Sequence, residues 1–339
     1  MALQHLIFHR IEKWQEDGDV SLTKRPDIHP VGADAESLYN ALRRTFNGKA
    51  GKGYGRFQED YASFPVSRWL QEFLDEKISF AKFSHLLVEH IQQALQQAPV
   101  NLDGSILLAL DQRPEGQDLF FALIPGQSSF QLTKDLELTL VEHLDPTRLD
   151  VAARIELDAW KGKHRTDSYF TALTGPGARE RAEIVLGALG FESAVDTKQE
   201  TSTFLQAVEE YASKLPQEEA PQYRKKVYDY CVEQERFGEP VELEKLSRVI
   251  DEDHPEAFAG FARSQEQPLG TEIRPDRRRL KSLVKFSGKV KGVSLSFSSD
   301  AIDQTVIYDP ASGSLTIREL PASLRQQLAR YLKQDQGEA

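Results

Sequence analysis

The sequence predicts an α+β fold: an N-terminal antiparallel sheet with helices, followed by a mainly helical domain that ends in a small antiparallel sheet. Three observations predict it. Extended apolar runs separated by turn residues dominate before residue 160, helical periodicity takes over between residues 178 and 250, and short strands punctuated by glycine and proline return near the carboxyl end. At 339 residues the chain can hold two cores if a domain takes roughly 150 residues. The expected division is an α+β domain over 1–160 and a helical domain over 161–339 that carries a basic helix and the C-terminal small sheet.

Residues 3–11 and 20–25 read as a hairpin joined by the polar turn Asp17-Gly18-Asp19. From Asp34 the helical spacing of Leu38, Ala41 and Leu42 runs out in the glycine-rich stretch from Gly48 to Gly55. Two helices follow, near 66–76 and 80–97. Residues 105–111 and 118–124 flank Arg113-Pro114-Glu115-Gly116, the pattern of a hairpin with a four- or five-residue loop. Residues 130–142 alternate through Leu132, Leu136, Leu138 and Leu140, and 151–157 adds another strand. Further helices are expected at 178–189, 201–214, 222–237 and 241–250, stopped by Gly190, Gly238 and Pro240. Strands at 293–297, 305–308 and 315–318 and a helix at 322–333 complete the chain.

Composition excludes several classes. The N-terminus lacks the apolar core of a signal peptide, no uncharged apolar stretch approaches a membrane span, and the single cysteine, Cys231, leaves no disulfide framework or multi-cysteine zinc site. A cytoplasmic protein is expected, with no cofactor and no membrane partner. The net charge of −11 argues by itself against a polyanionic partner. That charge is segregated, however. Between Arg274 and Lys291 eight basic residues face one acid, Asp276, a net of +7 that leaves −18 for the remainder.

A helix over 276–286 would place Arg278, Lys281 and Lys285 in one stripe, with Leu280, Leu283 and Val284 nearly opposite. Gly288 would end it, and Lys289 and Lys291 would flank Val290 in extended chain, pointing to one side. Cations in this pattern suit phosphate, because neutralising a polyanion releases condensed counterions. Residues Arg277, Arg278, Lys281, Lys285, Lys289 and Lys291 are therefore the candidate nucleic-acid contacts. The alternative is a solvated amphipathic helix whose charges only balance the acidic body. Lys49, Lys52 and Arg56 form a second, assisting set in the acid-free stretch 43–57, where Phe46, Tyr54 and Phe57 could stack on bases; the competing reading is a connector with its aromatics in the core. Gly51-Lys52-Gly53 is not a Walker motif.

Catalytic patterns are sparse. His5 and His9 are four apart, which chelates from a helix but separates them by about 13 Å in a strand, the expected state here. The other histidines, His164 among them, lack ligand spacing. Asp75-Glu76-Lys77 and Asp196-Thr197-Lys198 echo half of a metal-dependent nuclease core but fall at helices instead of on a strand. Cys231 reads as a buried thiol, Asp150 and Arg154 as an ion pair, and Arg154, Trp160 and Tyr169 as elements of the domain junction.

A resemblance covers most of the chain. Leu144-Asp145, Ala153-Arg154-Ile155, Leu157 and Trp160, then Tyr169, Thr171, Leu173 and Gly175, continuing through Leu205-Gln206-Ala207-Val208, Tyr230-Cys231 and Lys285-Phe286 to Asp309-Pro310 and Leu315-Thr316-Ile317, resemble the YejK/NdpA family of nucleoid-associated proteins. The match is densest from about 144 to 330 and thins to Lys52, Tyr54-Gly55 and Phe57 in the N-terminal half. The resemblance implies nucleoid association and binding to DNA, with RNA as a second ligand, and no enzymatic activity. A homodimer or higher oligomer is expected on the argument that organising a nucleoid requires holding two segments. The rival classes are an acidic interaction module that docks a nucleoid enzyme and, third, a metal-dependent nuclease.

Overall fold

The computed structural model describes residues 2–15, 18–114, 116–162, 167–216, 218–302 and 304–335; Asp17 and Glu115 of the two expected turns, and His164, lie outside the described residues. The chain folds into two compact units, residues 1–200 with 234–240, and residues 201–233 with 241–339.

The first unit is built on one antiparallel sheet. In chain order it holds β1 (Ala2–Lys13), β2 (Ser21–Lys24), helix α1 (Ala33–Gly48), β3 (Gly53–Phe57), α2 (Val66–Leu74), α3 (Phe80–Gln96), β4 (Leu102–Arg113) and β5 (Gly116–Pro125). Next come a separate hairpin of β6 (Gln127–Leu132) and β7 (Leu138–His143), then β8 (Val151–Glu156), α4 (Leu157–Lys161), β9 (Phe170–Thr174), α5 (Arg179–Ala188) and β10 (Phe191–Ser193). The eight-stranded sheet has the order β10-β3-β9-β8-β5-β4-β1-β2.

Both faces of this sheet are covered, and that is why the middles of its central strands β4 and β5 are continuous apolar runs instead of alternating. Along β4, Ile106, Leu108 and Leu110 join the cluster that contains Phe83, Leu87 and Ile91 of α3. The intervening Leu107 and Ala109 join Tyr39, Leu42 and Phe46 of α1 on the opposite face. Successive strand side chains point to opposite faces, so one continuous run serves two cores.

The sheet extends past the expected boundary at residue 160 because β9 and β10 are its strands, with β9 paired to β8 and β10 to β3. The stretch expected as a mobile glycine-rich loop is in part strand β3. Gly55 there permits a close approach: a Cβ on it would lie 1.9 Å from the Glu192 carbonyl oxygen of β10. Residues 130–142 are likewise two strands instead of one, since Thr133 to Glu137 close a turn with Thr133 N–H donating to the Glu137 carbonyl at 3.0 Å.

The second unit gathers most of α6 (Thr197–Ala212) and α7 (Ala220–Phe237), β11 (Val241–Glu242), α8 (Leu243–Ile250), α9 (Ala257–Arg263), β12 (Glu272–Ile273) and the four-residue α10 (Arg277–Leu280). A hairpin of β13 (Lys285–Val290) and β14 (Val293–Ser298), a second of β15 (Val306–Asp309) and β16 (Ser314–Ile317), and α11 (Ala322–Asp335) complete it. Its core holds Phe204, Val208, Val227, Leu243, Leu246 and Phe258. Cys231 sits among them, and burial pushes its thiol well above the usual range, as expected for an inert cysteine. No described helix is long and apolar enough to cross a membrane.

Candidate nucleic-acid interface

Asp276 begins the basic segment by accepting the Arg278 N–H at 2.7 Å, a helix N-cap. The helix expected over 276–286 lasts only through Leu280, continues as a 3-10 turn over Lys281–Leu283, and yields to strand at Lys285. The expected sidedness nonetheless survives: Leu280 and Leu283 are buried in the core, while Arg278, Arg279, Lys281 and Ser282 face solvent. The helix ends early because the next six residues pair with β14, from Lys285 opposite Ser298 to Val290 opposite Val293. Gly292, at φ 80°, turns the chain between them.

Pairing gives this hairpin two chemically distinct faces. Lys285, Ser287 and Lys289 stand opposite Ser298, Ser296 and Ser294 on one face, all six exposed. Phe286, Val290, Val293, Leu295 and Phe297 occupy the other, where the two phenyl rings pack 5.6 Å apart. The first face holds ammonium groups and hydroxyls and no carboxylate. Lys291 lies in the turn at its end. A concavity of about 650 Å³ at its root is lined by Leu205, Arg278, Arg279, Lys281, Ser282 and Lys285, among others.

Among the described residues no carboxylate lies within 4.0 Å of the cationic nitrogens of Arg278, Lys281, Lys285, Lys289 or Lys291, whereas Arg43, Arg113 and Arg154 each meet one within 3 Å. Arg279 donates to the Ser202 hydroxyl at 2.7 Å. Arg277 is half-buried, and Arg274, which contributes to the +7 count, is buried.

The second predicted set belongs to the first unit and behaves differently. Lys52 is buried: its Nζ donates to the carbonyls of Asn47 at 2.9 Å and Lys49 at 2.6 Å and lies 3.7 Å from Glu235. Arg56 is held by Glu192 at 2.9 Å, Asp167 at 3.3 Å and Glu59 at 3.8 Å, and the Glu192 hydrogen bond is the first cause of its raised pKa. Lys49 is half-buried. Phe57 packs against Trp160, Tyr169 and Phe170, and its N–H donates to the Tyr169 hydroxyl at 2.8 Å, so this ring is core. The structure thus gathers 278–291 into one exposed segment and commits Lys52 and Arg56 to intramolecular contacts.

The candidates for chemistry are similarly occupied. His5 and His9 lie on β1; His9 meets the Ser84 hydroxyl at 3.2 Å, and burial, with His85 and Lys24 nearby, pushes its pKa down to about 4. Asp75 pairs with Lys77 at 3.0 Å, and Asp196 accepts the N–H groups of Lys198 and Gln199 at the start of α6. No group of three potential metal ligands occurs among the described residues. Asp150 pairs with Arg181 at 2.8 Å instead of with Arg154.

Arg154 belongs to a buried network that the sequence reading missed. Asp111 and Asp118 stand directly opposite each other on β4 and β5. Asp111 pairs with Arg43 at 2.9 Å, Asp118 with Arg113 at 2.8 Å, and Arg113 also with Glu239 at 2.5 Å. Arg154 reaches Asp118 at 4.0 Å and Glu156 at 2.6 Å, and donates to the Gly238 carbonyl. Desolvation raises Asp118 to about 6 despite these arginines. The legible signal was two acids and an arginine inside otherwise apolar strand runs. The network fixes the segment 234–240 to the sheet within the first unit.

An eight-stranded antiparallel sheet in one unit and helices followed by two small hairpins in the other define an α+β protein. Residues 7–325 match the family described as nucleoid-associated protein YejK, and the chain belongs to that family. Among its relatives, a nucleoid-associated protein of Pseudomonas entomophila is 34% identical over 97% of this chain and 99% of its own length. One of Pseudomonas putida is 34% identical with the same coverage, and one of Metapseudomonas resinovorans is 33% identical over 97% of this chain and all of its own.

Proposed function

We propose that this protein is a non-catalytic, nucleoid-located protein of the cytoplasm that binds DNA, with RNA as a second ligand, through phosphate contacts and without sequence readout. The observation that carries the reading is the exposed, carboxylate-free face of Lys285, Ser287, Lys289, Ser294, Ser296 and Ser298, continued by Arg278, Lys281 and Lys291. Ammonium groups neutralise phosphates and hydroxyls donate to their oxygens, and neither carries base information. Lys285 and Lys289 are four strand residues apart, about 13 Å, a span that crosses several phosphates of one strand. Family membership supports the same reading. Holding two nucleic-acid segments at once requires two such faces, hence a homodimer.

A salt titration comparing duplex DNA, single-stranded DNA and RNA tests this. Log affinity for the duplex is expected to fall linearly with log salt, at a slope of about −3.6 or steeper for four or more phosphates, and two unrelated duplexes of equal length should bind within a few-fold of each other. A thousandfold preference between them would establish base readout instead. Failure to retain DNA at about 100 mM salt would favour an interaction module.

A further inference from the structure

The β6–β7 hairpin exposes apolar surface at the upper end of what a monomer carries. Phe130, Leu132, Leu138 and Leu140 are 73%, 61%, 66% and 65% exposed, and Leu136 at the turn is 78% exposed. Register places Phe130 opposite Leu140 and Leu132 opposite Leu138 on one face, with Ser128 opposite Glu142 at the end of that face away from the turn. The other face carries Gln127, Ser129, Gln131, Thr139 and His143, with Val141 its single aliphatic. Such a two-stranded ribbon is marginal alone in water, and an apolar patch of this size marks a contact surface.

Leu136 adds an independent observation. It adopts φ 63°, a left-handed conformation that glycine or asparagine takes readily and that crowds the Cβ of a leucine. The turn holds it there through the Leu136 N–H to the Thr133 carbonyl at 3.0 Å and the Glu137 N–H to the Thr133 hydroxyl at 3.2 Å. A strained, exposed leucine at a turn points to use of its side chain in a contact.

We infer that this apolar face packs against the same face of a second copy of the chain across a two-fold axis, making the hairpin the dimer interface. The inference deepens the two-ended reading above and concerns a surface separate from the basic face. Charge excludes a polyanionic occupant: residues 127–143 carry one cation, Lys134, against Asp135, Glu137 and Glu142. Glu142 is itself directed at Arg10 of β1, 3.7 Å away. Area fits a second copy. The five side chains expose on the order of 600 Å² per protomer, which doubles to about 1,200 Å², the lower bound of a standard specific interface. An isologous contact needs no charge complementarity, because the same apolar patch meets itself. Two amphipathic ribbons stacked face to face would sit about 10 Å apart with their polar faces in water.

The test uses the full chain without nucleic acid. Sedimentation is expected to give twice the 38.3 kDa chain mass, and Leu132→Glu with Leu138→Glu to give the monomer mass with an unchanged far-ultraviolet spectrum, since both side chains are exposed. With Cys231 buried, Leu138→Cys becomes the single accessible thiol and should form a covalent dimer under mild oxidation. Tyr331→Cys, exposed on α11, should not. A monomeric natural chain at 100 μM, a dimer that survives the two glutamates, or cross-linking through residue 331 alone would each overturn the assignment. Short-duplex affinity of the monomeric variant is measured separately. A retained salt slope there means that the interface and the phosphate face stand or fall independently.

Discussion

Replacing Lys281, Lys285 and Lys289 together by glutamine isolates the electrostatic contribution of the basic segment. All three are exposed and have no carboxylate within 4.0 Å among the described residues, so the fold should not notice. With Arg278 and Lys291 they make five such cations, and at 0.9 per phosphate the natural chain should show a log–log salt slope of about −4.5 on duplex DNA, the triple variant about −1.8. Between 50 and 200 mM salt those slopes correspond to losses of roughly 500-fold and roughly 12-fold in affinity. Fluorescence anisotropy on a short labelled duplex, with thermal denaturation to verify the fold, reads both numbers. Arg56→Gln is the control: its guanidinium is already shared among three carboxylates and the slope should not move. A triple variant with the natural slope, or an Arg56→Gln variant that flattens it, would refute the assignment of phosphate contact to 278–291.

Other perturbations probe the first unit, which does not contain the basic segment. Gly55→Ala should cost about 1–3 kcal/mol in urea unfolding, because its Cβ would meet a backbone oxygen at 1.9 Å and β3 would have to part from β10; an unchanged midpoint means that the strand pairing is wrong. Arg154→Met should cost about 1–3 kcal/mol by removing the donor to Glu156 and the Gly238 carbonyl and leaving Asp118 to Arg113 alone, and Arg154→Lys should restore only part of it, since an ammonium that holds Glu156 and the carbonyl has no second nitrogen to face Asp118. His9 supplies a pH test. Its folded pKa, about 4, lies below the ordinary 6.5, so the unfolded chain binds the proton more readily. The associated stability is complete above about pH 6.5 and disappears as pH falls through 4, about 3 kcal/mol in all. The difference between the natural chain and His9→Gln should therefore narrow over that window, and a pH-independent difference removes burial of a neutral imidazole as the cause.

Much of the fold was readable because local signals and tertiary demands agreed. The helices α3 and α7 fall where apolar spacing and the stops at Gly238 and Pro240 put them, and β4 and β5 where turn residues bracket them. What escaped was set by contacts distant in sequence. Glycines at 53 and 55 suggest a flexible loop, and only the presence of the Glu192 carbonyl explains why one of them must lack a Cβ. Lys52 looks like a surface cation until the end of α1 offers it two carbonyls. The basic segment was legible as charge but not as shape: helical spacing holds through Leu283, yet strand pairing with the alternating Ser294, Ser296 and Ser298 claims Lys285 onward. That serine alternation was the available signal for a polar hairpin face.

The acidic remainder of the chain follows a physical logic once the cations occupy one face. A net −18 outside residues 274–291 repels a phosphate backbone, but at physiological ionic strength that repulsion decays over about 8 Å, whereas an ammonium in contact with phosphate sits well inside that range. On the proposed reading, only an approach that leads with the basic face is favourable, so the negative charge orients the encounter without abolishing it. The same charge suppresses the rolled or sideways association that a uniformly basic protein would permit. Lowering the salt strengthens contact and repulsion together, and this separates the arrangement from a simple polycation. Neutralising exposed acids outside the hairpin, such as Glu244 on α8, should tighten binding at 20 mM salt and have almost no effect at 200 mM. Equal gains at both concentrations would mean that the acids touch the ligand and that the charge segregation does not steer it.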